Sequence, residues 1–362
     1  MRTRDLRIPT GASTFFAVAL AILGPAGSAA LGQVIQPPYD SVYTLTDLGA
    51  VSGLPTPYGG LDFLNGNLNV LVIGGAANAA AGQLFTIGVV RDSQNHITAL
   101  SGTATFFSDG AFNDGGVVFG PGGVLFYTRF PNNEVGEVKP GSTITDKVVP
   151  LDPLAIGSSV GALNFVPSGF PGAGQMKIVS YDTAQWYTAA FSADGTGTYN
   201  ITSATLNTTI QGGPEGFVYV PIGSPVFPID SMLVSEYGND VVSTYQFDGS
   251  ANPLPATRAI FINGLTGAEG AVIDPLTGDF LFSTFGSANH VIVVKGFSAP
   301  AATPTPTQTP IGGATPTPPP TPPPTPIPGP PVAPVPTLSF PMVALMGVAL
   351  IAIALLVLRR SS

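Results

Sequence analysis

The chain has 362 residues, of which 44% are hydrophobic and only 9% charged, and its formal net charge is −9. An acidic, charge-poor surface repels phosphate backbones, which excludes nucleic acid as a partner. The absence of cysteine removes disulfides, thiolate metal sites and cysteine nucleophiles together.

In chain order, Arg2, Arg4 and Arg7 precede a short apolar run over 15–23. Gly24-Pro25 closes it, and the small residues Ser28, Ala29 and Ala30 follow. This is the pattern of a secretory signal peptide over 1–32, too short for a stable membrane span. Export then places the following body outside the cytoplasm, which suits a chain low in charge and rich in Gly, Thr, Ser and Asn.

Residues 33–300 show no useful helical periodicity. They consist of short β-branched and aromatic runs divided by Gly, Pro, Asn and Asp. One pattern returns five times: an apolar strand end and a turn, at Phe63-Leu64-Asn65, Phe119-Gly120-Pro121, Phe165-Val166-Pro167, Tyr219-Val220-Pro221 and Ile273-Asp274-Pro275. The copies lie about 46 to 56 residues apart, a period that belongs to radial repeats. A glycine precedes each anchor by three or four positions: Gly60, Gly116, Gly161, Gly216 and Gly270.

After each anchor comes a second apolar run, such as Val70-Leu71-Val72-Ile73 or Phe280-Leu281-Phe282. A polar turn follows, carrying Asn78, Asn133, Asn239 or Asn289, with Gln185 in the third copy. A third run comes next, such as Leu84-Phe85-Thr86-Ile87 or Val291-Ile292-Val293-Val294, and copies one to four add a fourth. Four antiparallel strands per repeat predict an all-β fold, a β-propeller of five blades. The length of the first repeat leaves a sixth, irregular blade open, and a β-sandwich is the competing fold. The fifth copy ends after its third run, at Phe297, while Tyr43-Thr44-Leu45-Thr46-Asp47-Leu48 stands unassigned before the first. An N-terminal strand that completes the last blade would close the ring and remove exposed sheet edges. The general shape resembles secreted bacterial propellers of the NHL and SMP-30-like kind. That resemblance is architectural and carries over no catalytic residues.

In a propeller the starts of all first strands converge on one mouth of the central channel. The residues four before each anchor are Gly59, Gly115, Gly161, Glu215 and Glu269, with Asp114 one place earlier in the second copy. Carboxylates around one axis repel unless a cation or proton intervenes. An oxygen-only donor set suits Ca²⁺, so Glu215, Glu269 and Asp114 are the candidate metal ligands. The alternative is that they are solvated turn carboxylates. Asp62 and Asn164 are candidates for further oxygens from deeper in. Tyr58, Tyr127, Trp186, Tyr187 and Tyr237 are candidates for stacking on sugars, against the alternative of inter-blade packing. No catalytic constellation and no organic cofactor site is read. His96 and His290 fall in different repeats, and no Gly-x-Ser-x-Gly elbow occurs.

Residues 301–334 form a Thr-Pro and Pro-Pro tract broken by Ile311-Gly312-Gly313. Such proline density predicts extended polyproline II, a stalk reaching up to about 100 Å. Val335-Pro336-Thr337-Leu338-Ser339 then precedes an uncharged stretch over 340–358, with Phe340 first and Leu358 last, and Arg359-Arg360 behind it. About 19 helical residues reach about 28 Å, close to the thickness of a bilayer's hydrocarbon core, and the arginines serve as the cytoplasmic stop. Motif, apolar helix and basic end resemble the bacterial C-terminal sorting signals of the PEP-CTERM and IPTL-CTERM type, with Val335 in place of Ile. Phe340-Pro341-Met342 stands where that class continues with an acidic residue and Trp-Gly. The resemblance covers Val335 to Arg360. It implies an exosortase-like membrane protease as partner and release or transfer of the body at the cell surface; the alternative is an uncut single-span anchor.

Together these features predict an exported, surface-anchored or surface-sorted binding module, associated with the cell envelope or an exopolysaccharide. Its partners would be the membrane, through 340–358, and a polysaccharide or surface protein. The alternative function is a Ca²⁺-dependent, lactonase-like hydrolase in the propeller channel.

Overall fold

The structure, a computed structural model, describes residues 32–286 and 288–300. The segments read above as stalk, sorting motif and apolar span, from 301 on, and as signal peptide, but for its last residue, lie outside these residues. Among the described residues no helix is long and apolar enough to cross a membrane.

Two short strands come first, β1 (Val34–Ile35) and β2 (Thr44–Asp47). Blade 1 follows as β3 (Tyr58–Leu64), β4 (Asn67–Gly75), β5 (Gln83–Arg91) and β6 (Ile97–Asp109). Blade 2 is β7 (Asn113–Phe119), β8 (Leu125–Arg129), β9 (Glu134–Val138) and β10 (Lys147–Pro150). Blade 3 is β11 (Val160–Phe165), β12 (Met176–Ser180), β13 (Gln185–Ala193) and β14 (Tyr199–Thr209). Blade 4 is β15 (Pro214–Tyr219), β16 (Ser231–Glu236), β17 (Val241–Gln246) and β18 (Ala259–Asn263). Blade 5 supplies β19 (Ala268–Ile273), β20 (Phe280–Thr284) and β21 (Val291–Lys295). Each blade is an antiparallel meander in chain order, so the fold is a five-bladed β-propeller. A sixth blade and a sandwich are both ruled out for the described body.

The N-terminal segment spans two blades. β1 pairs with β18 as a fifth strand on blade 4, and β2 pairs with β21 on blade 5, with Leu45 opposite Val294. Between them Tyr39 and Tyr43 enter an aromatic cluster with Phe227, Phe261 and Phe297. The Tyr43 hydroxyl donates to the carbonyl of Pro225.

The hydrophobic pattern follows from this architecture. The inner and middle strands of a blade are covered on both faces by the neighbouring blades. β12, β16 and β20 are accordingly buried along their whole length, and their sequences are apolar runs with Ser and Thr, interrupted only by Lys177 in β12 and Glu236 in β16. Each of the five buried clusters draws on two adjacent blades; Phe63, Leu71 and Ile73 of blade 1, for example, pack with Leu281 and Val293 of blade 5. The outer strands β6 and β14 face water and carry Thr and Ser.

Polar clasps add to these seams. In blades 1, 3 and 4 the hairpin between third and fourth strands opens on an aspartate whose Oδ1 accepts two backbone N–H groups. These are Asp92 (from Gln94 and His96), Asp194 (from Thr196 and Thr198) and Asp248 (from Ser250 and Asn252). The preceding blade then grips the hairpin. Asp279 faces His96 Nδ1 at 2.7 Å, Lys147 Nζ donates to Asp194 at 2.8 Å, and Lys177 Nζ donates to the Ser250 carbonyl and to Asn252 Oδ1, each at 2.8 Å. His96 therefore holds a blade seam, whereas His290 faces Asp47 of β2 at 2.8 Å within blade 5.

Candidate functional site

The first strands β3, β7, β11, β15 and β19 touch one another around the axis. They approach so closely that side chains cannot fit between them. A Cβ added at Gly161 would overlap the carbonyl oxygen of Pro214, and one added at Gly270 would overlap the backbone of Gly60. The glycines of the repeat thus form a waist, and the channel divides into two cups.

The register explains what stands at the rim. Tyr58, Asn113, Val160, Pro214 and Ala268 open the five first strands and pair with Gly75, Arg129, Ser180, Glu236 and Thr284 at the ends of the second strands. Immediately after each opening residue the pairing register shifts, so every first strand carries a bulge there. A bulged residue is free of the ladder and can be re-aimed. At these places stand Gly59, Asp114, Gly161, Glu215 and Glu269. In blade 2 three residues stand opposite one, an excess of two where every other blade has an excess of one. Asp114, not Gly115, is therefore the counterpart of Glu215 and Glu269, and counting back from the anchor residue misplaces blade 2 by one.

Asp114, Glu215 and Glu269 meet. Each offers a carboxylate oxygen, and these oxygens all lie within 4.8 Å of one another. All three side chains are buried: Asp114 is 1% exposed, Glu215 4% and Glu269 1%. The expectation of solvated turn carboxylates is thereby corrected, because the bulge turns them inward. One oxygen of each, Asp114 Oδ2, Glu215 Oε2 and Glu269 Oε1, is buried without a hydrogen-bond partner. Asn78, oriented with its amide nitrogen toward Asp114, donates to Oδ1 at 2.9 Å. Burial and then mutual repulsion push the carboxyl of Glu215 well above the ordinary range, and Glu269 moves the same way for the same reasons. Burial raises Asp114 to about 7.

Above the acids the walls are aromatic. The residue after the second strand is Phe130 in blade 2, Tyr181 in blade 3, Tyr237 in blade 4 and Phe285 in blade 5, and all four line the same cup of about 300 Å³. Consecutive rings meet edge to face, with centroids 6.0, 6.0 and 5.9 Å apart. In blade 1 the equivalent residue is Ala76, so no ring stands on that side, where Asn78 lines the cup. Tyr237 follows Glu236, which is fixed by two charge-assisted bonds from Arg258 at 2.8 and 2.6 Å and by the Tyr245 hydroxyl at 2.7 Å. Among the described residues no histidine, lysine or arginine lines the cup.

Several expectations change. Asp62 and Asn164 do not feed the acid cluster. They line the opposite cup, of about 210 Å³. There Asp62 accepts from the Phe119 N–H at 2.7 Å and Asn164 donates to the Phe217 carbonyl at 2.9 Å, so both tie neighbouring first strands together. Tyr58, Tyr127, Trp186 and Tyr187 are buried in the packing between blades and have no face for a sugar. Tyr237 alone of that set reaches the mouth. Phe130, Tyr181 and Phe285 were not singled out, although one signal was present: an aromatic residue follows the second apolar run in four of the five repeats.

No protein-family model matches this chain, and no curated protein matches it. Among solved structures it is similar to an auxiliary nutrient binding protein from Bacteroides ovatus, with 11% identity, 70% of this chain and 76% of that chain covered, and a TM-score of 0.38. It is also similar to the pyranose dehydrogenase PQQ domain from Coprinopsis cinerea, with 8% identity, coverage of 73% and 97%, and a TM-score of 0.40. A third is the Cps50 (Swd1) β-propeller domain of Myceliophteria thermophila, with 9% identity, coverage of 66% and 70%, and a TM-score of 0.36.

Proposed function

We propose that this chain is an exported binding module displayed at a bacterial cell surface, and that its propeller takes up a cation at the acid cup. In this reading residues 1–32 direct export, 301–334 form the stalk, and 335–362 anchor the chain or hand it to an exosortase-like protease. The outer partner is a polysaccharide or surface protein of the envelope. The observation that supports the cation is the trio of buried carboxylates, each with an oxygen that no N–H or hydroxyl of the other described residues reaches. A buried charge without a partner is costly, and a cation among three such oxygens removes that cost. Ca²⁺ is the inorganic candidate, since every charged donor is an oxygen. Binding is preferred to hydrolysis because the walls above the trio are mostly ring surface, and among the described residues no histidine lines the cup.

Calorimetry with Ca²⁺ tests this. The chain should give a saturable heat at pH 7.5, and Glu215→Gln with Glu269→Gln should weaken binding at least about tenfold, the loss of two charged ligands. An unchanged affinity in the double variant removes the trio from the account.

A further inference from the structure

The collar gives the cup a property that a bare metal ion does not use. Ca²⁺ seeks six to eight oxygens, yet the walls over the three acids are Phe130, Tyr181, Tyr237 and Phe285. Ring faces attract cations through their quadrupole and also accept methylene groups. The acids themselves offer three unpartnered oxygens, one from each of three blades, each side chain more than nine-tenths buried. A tetrahedral ammonium has three N–H donors. With charge-assisted bonds of about 2.8 Å it places its three acceptors about 4.6 Å apart, compatible with oxygens that lie within 4.8 Å of one another. Donor count and acceptor count agree, and the acids' oxygens stand close enough for one ammonium to reach all three. Among the described residues no basic side chain lines the cup to satisfy the acids from within, and an anionic ligand would be repelled.

We infer that the cup receives the end of an aliphatic primary amine, its ammonium on Asp114, Glu215 and Glu269 and its methylenes inside the aromatic collar. The remainder of the ligand leaves on the side where blade 1 places Ala76 instead of a ring. This inference rests on the cation-binding reading of the cup and names the ligand class; Ca²⁺ and the amine compete for the same oxygens.

The test is calorimetry on the full chain in detergent, with butylamine, with butyltrimethylammonium and with Ca²⁺ as separate titrants. Butylamine should bind with one-to-one stoichiometry and be displaced by Ca²⁺. The trimethyl analogue keeps the charge and the methylenes but has no N–H, so it should bind at least tenfold more weakly. Phe130→Ala with Tyr237→Ala should weaken butylamine at least tenfold and leave Ca²⁺ binding within twofold. Phe130→Leu, which keeps an apolar side chain and loses the ring, serves if the double variant does not fold. Nα-acetyl-lysine methylamide separates the two sources of such a group: binding equal to butylamine points to a lysyl side chain, and weaker binding to a free amine, either result supporting the class. Equal affinity for the trimethyl analogue, or Ca²⁺ heat without butylamine heat, overturns the inference while leaving the cation reading intact. Silence toward all titrants overturns both.

Discussion

At the scale of single residues, the acid trio sets a stability trend opposite to that of most surface carboxylates. A carboxyl whose pKa is raised on folding binds more protons folded than unfolded between the two values. Its contribution to stability is fully present below the ordinary value and is lost as pH climbs through the raised one. Asp114 runs from 3.8 to about 7, and Glu215 and Glu269 are raised from 4.5 in the same direction. The metal-free protein should therefore lose melting temperature as pH rises from about 4 to about 7. The Asp114→Asn, Glu215→Gln, Glu269→Gln variant should show a flatter curve and gain about 1–3 kcal/mol at pH 7.5 in the absence of cation. An unchanged curve in the variant would place the trend elsewhere, in Asp62 or Glu137, which burial also raises to about 7. Lys177 is a second case. It is fully buried, and its ammonium donates to Thr188 Oγ1 at 2.7 Å as well as to the blade 4 hairpin. Lys177→Met removes all three donors and strands their acceptors, so chemical denaturation should show a loss of about 2–3 kcal/mol.

At the scale of elements, the N-terminal segment governs ring closure. β2 gives blade 5 its fourth strand, and Tyr43, 2% exposed, packs against Phe297, Phe261 and Phe227 at the junction of blades 4 and 5. Truncating so large a buried ring leaves a cavity the surrounding rings cannot fill. Tyr43→Ala should cost about 3–5 kcal/mol, read as a lower denaturation midpoint with an unchanged slope. Deletion of 33–48 should cost more, since it also exposes the outer edges of β18 and β21 to pairing with other chains. The strand runs of this architecture were legible in the sequence because apolar residues and turn residues act over a few positions. β9 was the hardest to read, because Glu134 and Glu137 interrupt its apolar pattern. Glu137 is nonetheless buried, and accepts the Tyr199 N–H of blade 3 at 2.8 Å. The short β1 was not legible at all, since two residues carry no period.

At the scale of the whole molecule, the proposed display predicts a processed chain. Intact mass of the protein from the envelope should be lower than that of the full 362 residues by the signal peptide, and by the tail from about Val335 if a protease acts there. Retention of residues 1–32 in the purified protein would remove the export reading. The sequence by itself determined the repeat, its five copies and the acids near the start of three first strands. These are local matters of alternation, turn chemistry and spacing. Only the tertiary structure decided that Asp114 stands level with Glu215 and Glu269, that Phe130, Tyr181, Tyr237 and Phe285 rise above them, and that Tyr58, Tyr127, Trp186 and Tyr187 are sealed between blades. Those outcomes depend on bulges that slip the register and on closing the ring. Both act between residues far apart in the chain, where spacing along the sequence carries no information on distance.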